Sequence, residues 1–390
     1  MSSFFGEINP PQRLLMGPGP INVHPRVLRA MGADMLGQFD PEMTDYMNQT
    51  MALYRRVFMT ENRWTFLIDG SARAGIEAAL TSLIEPGAKV LLIRSGRFGM
   101  LLGEIAERLG AEIATIDLEW GQVATLDQIE AALAEHRPAV FAAIHGDTST
   151  TTAQPLEGVG ALCRRYGALS YVDATATLGG MPVRTDEWQI DVVSAGLQKC
   201  MGGPPGSAPI TISDRAAEFI FSRRKVESGI RRDDISDGTR PFIRSNYFDL
   251  AMVMDYWSEK RLNHHTEATS MLYAARECAR LVLEEGLENR FARHVAAGKA
   301  MSEGLRGLGL TLYGQDAYRM SNVTGVYIPE GIDGERVRAR MRDEYQIEIG
   351  TAFGPLVGKI WRLGAMGYNA EQHKVRLTLA ALKAVLESEA

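Results

Sequence analysis

Cysteine is scarce in this chain: three residues in 390. Cys163, Cys200 and Cys278 cannot all pair and show no CxxC spacing, so neither a disulfide framework nor a cysteine metal centre is expected. No apolar run approaches the roughly 20 residues that span a bilayer, so no membrane segment is expected. The opening MSSFFGEINPPQRLL has no basic stretch followed by an apolar one, so no secretory signal is read there. A reducing, cytoplasmic setting fits these features. Basic charge is not in excess: 42 Lys and Arg stand against 48 Asp and Glu, a net charge of −6. That argues against a general polyanion binder but not against a local anion site. No GxxxxGK[ST] is present and no GxGxxG follows a strand, so neither nucleotide fingerprint is signalled.

What is present is an alternating pattern. Short apolar runs occur at Lys89–Ile93, Glu112–Ile116, Ala139–His145, Leu169–Asp173, Val192–Ala195 and Pro209–Ile212. Helix-like stretches intervene at Met51–Phe58, Arg73–Ile84, Met100–Leu109, Leu126–His136 and Val159–Tyr166. Strands alternating with amphipathic helices indicate βαβ units and a mostly parallel sheet, hence an α/β fold. Charged Ser222–Asn246 breaks the rhythm as a long surface excursion. From Asp249 to about Leu308 the pattern predicts one long helix and a second after Gly286. The remainder mixes a strand near Thr324–Ile328 with helices at Gly334–Tyr345 and Asn369–Glu387. The expected division is an N-terminal arm at 1–20, a large domain at 21–275 and a smaller α+β domain at 276–390.

Three short motifs carry chemistry. Gly70-Ser71-Ala72-Arg73 opens a helix, where small residues let backbone N–H groups reach an anion; alone it also reads as a helix capped by Ser71. Asp173 ends a buried strand, where open α/β sheets bind ligands, though taken alone it reads first as a helix cap after the strand. Lys199 follows an apolar strand and precedes Gly202-Gly203-Pro204-Pro205-Gly206, so it is either a pocket lysine or a surface one in a turn. Taken together, an anion cradle, a buried carboxylate and a pocket lysine suit pyridoxal phosphate. They would serve its phosphate, its ring nitrogen and its aldehyde carbon respectively. Phe98, in Ser95-Gly96-Arg97-Phe98-Gly99, is a candidate to lie against the ring. Arg362, in an apolar run, offers a fork that matches a substrate carboxylate.

These motifs, with Gly17-Pro18-Gly19-Pro20, His145-Gly146-Asp147-Thr148-Ser149-Thr150 and Trp361-Arg362-Leu363-Gly364, resemble the class V, fold-type I aminotransferases of the alanine–glyoxylate group. Gly37-Gln38-Phe39-Asp40-Pro41, Ser245–Leu250 and Tyr256–Glu267 resemble the branch that uses (S)-ureidoglycine and glyoxylate in purine degradation. The resemblance implies a pyridoxal-phosphate transaminase with a large mostly parallel-sheet domain and a smaller C-terminal one. It implies small amino-acid and oxo-acid substrates, and a homodimer in which both subunits build each site. Ureidoglycine would give oxalurate and glyoxylate would give glycine. An alanine– or serine–glyoxylate enzyme, or a pyridoxamine–pyruvate enzyme, is the alternative on the same scaffold.

Residue by residue, the resemblance gives Lys199 the cofactor and the proton transfer, and Asp173 the ring nitrogen. It assigns the phosphate to Ser71, Ala72, Arg73 and Gln198, with Tyr247 from the second subunit. Thr148 would bond the ring hydroxyl or its neighbourhood. Arg362 would take the α-carboxylate near the Gly19 backbone, and Gln38 and Asn263 would read the ureido group. The chain departs from the family pattern at Ala72, at Asp147 where Glu is common, and at Thr151 where Gly is frequent. His264-His265 and Glu267 are read as a helical HHxE without a third ligand, so no metal is expected. The arginines of 223–232 are interspersed with acids, so no nucleic-acid partner is expected.

Overall fold

The computed structural model describes residues 5–389; the first four residues of the expected arm lie outside it. The arm enters as β1 (Leu14–Leu15) and leads past α1 (Pro25–Met31) to α2 (Pro41–Val57). α2 starts at Pro41, whose fixed φ suits a first helical position, behind an Asp40 side chain that accepts the Glu42 amide. A strand the sequence pattern did not suggest follows, β2 (Trp64–Gly70), then α3 (Ala72–Leu83). The alternation continues with β3 (Lys89–Arg94), α4 (Arg97–Arg108), β4 (Glu112–Asp117), α5 (Leu126–His136) and β5 (Val140–Ile144). A short hairpin, β6 (Gly146–Asp147) and β7 (Thr152–Ala153), precedes α6 (Val159–Arg165), β8 (Leu169–Asp173), β9 (Val192–Ser194), β10 (Gly206–Ile212) and α7 (Asp214–Ser222).

Seven strands form one sheet in the order β2-β10-β9-β8-β5-β3-β4. β3, β4, β5, β8 and β9 run parallel, and β10 alone is antiparallel to its neighbours β2 and β9. β5, β8 and β9 are buried along their whole length. That explains their unbroken apolar runs: helices cover both faces of a parallel sheet. The largest apolar core lies around this sheet and takes in Val282.

The expected long helix from Asp249 is two helices. α8 (Leu250–Trp257) stops, an irregular segment follows, and α9 (Thr269–Glu285) begins only after Ala268. Ser258 makes the stop locally: its hydroxyl donates to the Asp255 carbonyl (2.8 Å) and accepts the Lys260 amide (3.1 Å). Arg261 takes a left-handed φ of 45°, and the Ala268 amide donates to Asp69 at the end of β2 (2.9 Å).

α10 (Leu287–Gly307), β11 (Val323–Tyr327), α11 (Gly334–Tyr345), β12 (Ile347–Glu348), β13 (Ile360–Gly364) and α12 (Gln372–Glu387) complete the chain. β11 pairs antiparallel with β13. A second core joins Met301, Leu305, Val337, Met341, Trp361 and Leu382. The arm belongs to it: β1 pairs with β12 and Met16 is fully buried there. This pairing holds Pro18 and Gly19 where the two lobes meet.

Among the described residues no helix is long and apolar enough to cross a membrane.

Candidate active site

The parallel strands release their chains at one edge of the sheet, and a cavity of about 200 Å³ opens there. Its walls come from several strand ends, as expected where an open α/β sheet binds a ligand. Ser71, Ala72 and Arg73 follow β2; Phe98 follows β3; Gly146 and Thr148 follow β5; Asp173 ends β8; Gln198 and Lys199 follow β9.

The glycine element opens a helix that its own N-cap side chain leaves uncapped. Ser71 is the N-cap of α3, yet its side chain makes no capping bond. The Ala72 and Arg73 amides therefore lack an internal partner, the Ala74 amide being taken by the Ser71 carbonyl (2.8 Å), and they stand at the positive end of the helix dipole. Beside them Gln198 Oε1 is buried without a hydrogen-bond partner. Phe98 lies in the first turn of α4, not in the loop before it. The Asp147 carboxylate fixes that turn by accepting the amides of Phe98 (3.1 Å) and Ser149 (2.8 Å). Asp147 is thus a structural brace beside the pocket, a role the sequence did not reveal.

Asp173 is buried, with the amide and hydroxyl of Thr175 on its carboxylate. Burial dominates and raises its pKa to about 6, against the opposing hydrogen bonds from Thr175. Lys199 sits at a kink in Leu197–Met201, its own backbone non-helical (φ −117°, ψ −129°), and its ammonium donates to the Pro18 carbonyl. Burial, then the charge of Arg362, lowers its pKa to about 8. Gly19 has φ +98°, and a methyl group there would collide with the Lys199 side chain. Glycine is thus required both by the backbone angle and by the approach of the lysine.

Arg362 projects from β13 in the other lobe. It donates through Nη1 to the Thr148 carbonyl (2.7 Å) and through Nε to the Thr351 carbonyl (2.6 Å). Its guanidinium also lies over the Phe353 ring at 4.8 Å. Two of five N–H groups are spent, and Nη2 has no partner among the described residues. Burial lowers its pKa to about 10, still far above neutrality. The arginine is a charged clamp with an open edge.

Five residues singled out in the sequence are not part of this cavity's lining: Gly19, Arg362, Gln38, Asn263 and Tyr247. Gln38 Nε2 donates to Asn263 Oδ1 at 2.8 Å, which pairs these two with each other. Tyr247 is 45% exposed and packs on His264 and His265. The expected helical HHxE is also corrected. His265 and Glu267 lie in the irregular segment between α8 and α9, and Asp69 supplies the third ligating group that the sequence reading lacked.

A fold of this topology, with a lysine and a carboxylate at the strand ends and an arginine facing them, defines an aminotransferase scaffold. The class-V aminotransferase family model matches residues 26–381, and the chain belongs to that family. It is 52% identical over 384 residues to the (S)-ureidoglycine–glyoxylate transaminase of Bacillus subtilis (strain 168), covering 97% of this chain and 92% of that one. It is 36% identical over 381 residues to the alanine–glyoxylate aminotransferase of Callithrix jacchus, covering 97% and 88%. The crystal structure of the ureidoglycine–glyoxylate aminotransferase from Bacillus subtilis superimposes with a TM-score of 0.93 at 49% identity, covering 98% of this chain and 95% of that one. The fold is that of the fold-type I enzymes, and the cofactor of the family is pyridoxal phosphate. The pocket fits it: an uncapped helix N-terminus, a buried carboxylate and an amine of lowered pKa line one cavity.

Proposed function

We propose that this enzyme transfers the amino group of (S)-ureidoglycine to glyoxylate, giving oxalurate and glycine. The observation that carries the donor assignment is the Gln38–Asn263 amide pair. A ureido group is uncharged and offers both N–H donors and a carbonyl acceptor, which side-chain amides match. A charged residue in that place would lose solvation without a charged partner.

Pyridoxal phosphate, when bound, supplies the electron sink that makes the substrate Cα–H acidic. The chain's own residues do the rest. Ser71, Ala72, Arg73 and Gln198 hold the phosphate at the start of α3. Asp173 keeps a proton on the ring nitrogen; a cationic nitrogen at that point restores the ionised carboxylate that burial disfavours. Phe98 would lie against the cofactor ring and Thr148 would bond its hydroxyl or its neighbourhood, both lining the cavity. Arg362, with Gly19 beside it, orients the substrate carboxylate. Lys199 would anchor the cofactor and, once released, would take up and return the proton of the substrate Cα. Its lowered pKa suits an amine that must shed and regain a proton near neutrality.

We further propose a homodimer. Gln38, Asn263 and Tyr247 lie away from their own chain's cavity, so the reading needs them to serve the partner's site. Met35 (70% exposed), Phe39 (61%) and Tyr247 (45%) support a covered face near the amide pair.

A spectral half-reaction tests the donor. Ureidoglycine is generated in situ by an allantoate amidohydrolase, and the cofactor absorbance is followed. Fast bleaching by ureidoglycine, with oxalurate formed and colour restored by glyoxylate, is expected. Faster bleaching by alanine, serine or pyridoxamine would move the enzyme to the alternative donors. Lys199→Ala should abolish turnover with either donor, and near-normal turnover would overturn the mechanism.

A further inference from the structure

Three ligating side chains meet outside the cavity, where β2 ends. Asp69, His265 and Glu267 each bring a ligand atom within 4.8 Å of the others. His265 Nε2 lies 3.1 Å from Asp69 Oδ2. Glu267 is 3% exposed, yet its Oε2 has no hydrogen-bond partner among the described residues. The Tyr256 hydroxyl, on a residue only 1% exposed, lies against that carboxyl and is likewise left without a properly formed hydrogen bond. Such orphaned buried groups are rare unless something else satisfies them.

The hydrogen-bond chain running into the cluster shows what is needed. His264 Nε2 faces the Asn246 carbonyl at 3.2 Å. A carbonyl can only accept, so this nitrogen carries the proton. With that one proton on its ring, His264 offers Nδ1 as an acceptor. That atom faces His265 Nδ1 at 2.7 Å, and His265 must donate there. Nε2 of a neutral His265 is then a lone pair aimed at a carboxylate oxygen. Two acceptors 3.1 Å apart repel unless positive charge lies between them. One proton on His265 would answer Asp69 but would leave Glu267 Oε2 unmatched.

We propose that Asp69, His265 and Glu267 bind one divalent first-row metal ion, with water completing its coordination. Two carboxylates carry the two negative charges that a divalent ion neutralises, whereas a monovalent ion would leave one buried charge. One imidazole with two carboxylates suits manganese or zinc better than the all-oxygen ions. His264 is the outer partner that fixes the ligand tautomer of His265, as metal-bound histidines require. Asp69 and His265 keep side-chain exposures of 11% and 14%, so the ion has a way in.

The position gives the ion a task. Asp69 stands directly before Gly70 and Ser71, where α3 begins, and His265 and Glu267 lie in the segment that carries Asn263. A metal here ties that turn to that segment. The binding site stands or falls apart from the choice of amino donor.

The test uses the purified cofactor-loaded enzyme. Mn²⁺ is titrated and free ion followed by electron paramagnetic resonance; Zn²⁺ is titrated by equilibrium dialysis with elemental analysis. One ion per chain is expected, with affinity weakened about tenfold or more in Glu267→Gln and in His265→Asn. Circular dichroism and cofactor absorbance should match the parent. If Glu267→Gln does not fold, Asp69→Asn replaces it with the same expectation. Binding of neither ion at one per chain, or equal binding by folded variants, overturns the site.

Discussion

Gln38 and Asn263, 225 residues apart in sequence, are joined side chain to side chain by a hydrogen bond of 2.8 Å. One amide comes from the approach to α2 and the other from the break between α8 and α9. Each fixes the other's orientation, which leaves the Gln38 oxygen and the Asn263 amino group free to face a ligand. The pair is neutral, so it adds nothing for a donor without a ureido group. Replacing both by Ala should therefore lower kcat/KM for ureidoglycine by about a hundredfold, since unpaired substrate groups are rejected strongly by a site built to bond them. Half-reaction rates with alanine should change less than about threefold. Equal losses with both donors would mean that the pair merely supports the fold.

Asp173 couples function to stability through its buried carboxyl. Its pKa is raised from 3.8 to about 6 by burial. A folded state that binds a carboxyl proton more tightly than the unfolded chain loses stability as pH rises, here across roughly pH 4 to 6. Above that window the cost is complete, on the order of 3 kcal/mol at about 1.4 kcal/mol per pH unit. Asp173→Asn removes it. The cofactor-free variant should melt several degrees above cofactor-free parent at pH 7.5 and close to it at pH 4. Its turnover should fall by at least about a hundredfold, because nothing then keeps the ring nitrogen protonated. Calorimetry of both proteins at the two pH values decides it, and a parallel offset at both would refute the linkage.

The sequence carried the cavity but not its surroundings, for physical reasons. Lys199, Asp173 and the Gly70–Arg73 element are local signals: each is a short polar motif at the end of a strand. The central strands were legible because burial on both faces makes them apolar throughout. β2 was not suggested, although Trp64–Ile68 is apolar, because a short apolar run is not separable from helix without its neighbours. The stop after Trp257 was hidden more deeply. Residues 258–268 contain neither Gly nor Pro; Ser258 turns the chain locally, and the restart at Ala268 is held by Asp69, which is distant in sequence. For the same reason the third member of the Asp69–His265–Glu267 group could not be read from an HHxE spacing.

Arg362 ties the two lobes together, and in the proposed reaction it also takes the substrate carboxylate. Its Nη1 serves Thr148 beside the cavity and its Nε serves Thr351 in the smaller lobe. Arg362→Leu would leave two carbonyl groups without these donors, at about 1–3 kcal/mol for each that stays buried. Chemical denaturation should show a loss of about 2–4 kcal/mol. Both donor and acceptor carry a carboxylate, so KM should rise for both by about a hundredfold. A rise for only one substrate would place the clamp elsewhere.

Thr151 is the departure from the family pattern with the clearest structural price. It has φ +56°, a left-handed conformation that β-branched residues rarely adopt and glycine adopts freely. Its hydroxyl is also buried without a partner. Strain at such a position is on the order of 1–3 kcal/mol, and an unmatched buried hydroxyl adds about 1–3 kcal/mol. Against this, Thr151→Gly loses a buried methyl, about 0.8 kcal/mol, and gives the unfolded chain extra freedom, roughly 1 kcal/mol. The balance favours glycine, and the variant should gain about 1 kcal/mol or more, read as a higher Tm. Gly325 packs at the same spot, where a methyl would lie 3.1 Å from the Thr151 hydroxyl. Thr151→Gly combined with Gly325→Ala should therefore be less destabilised than Gly325→Ala alone by more than the gain from Thr151→Gly by itself. Simple additivity of the two changes would show that the hydroxyl is not what crowds Gly325.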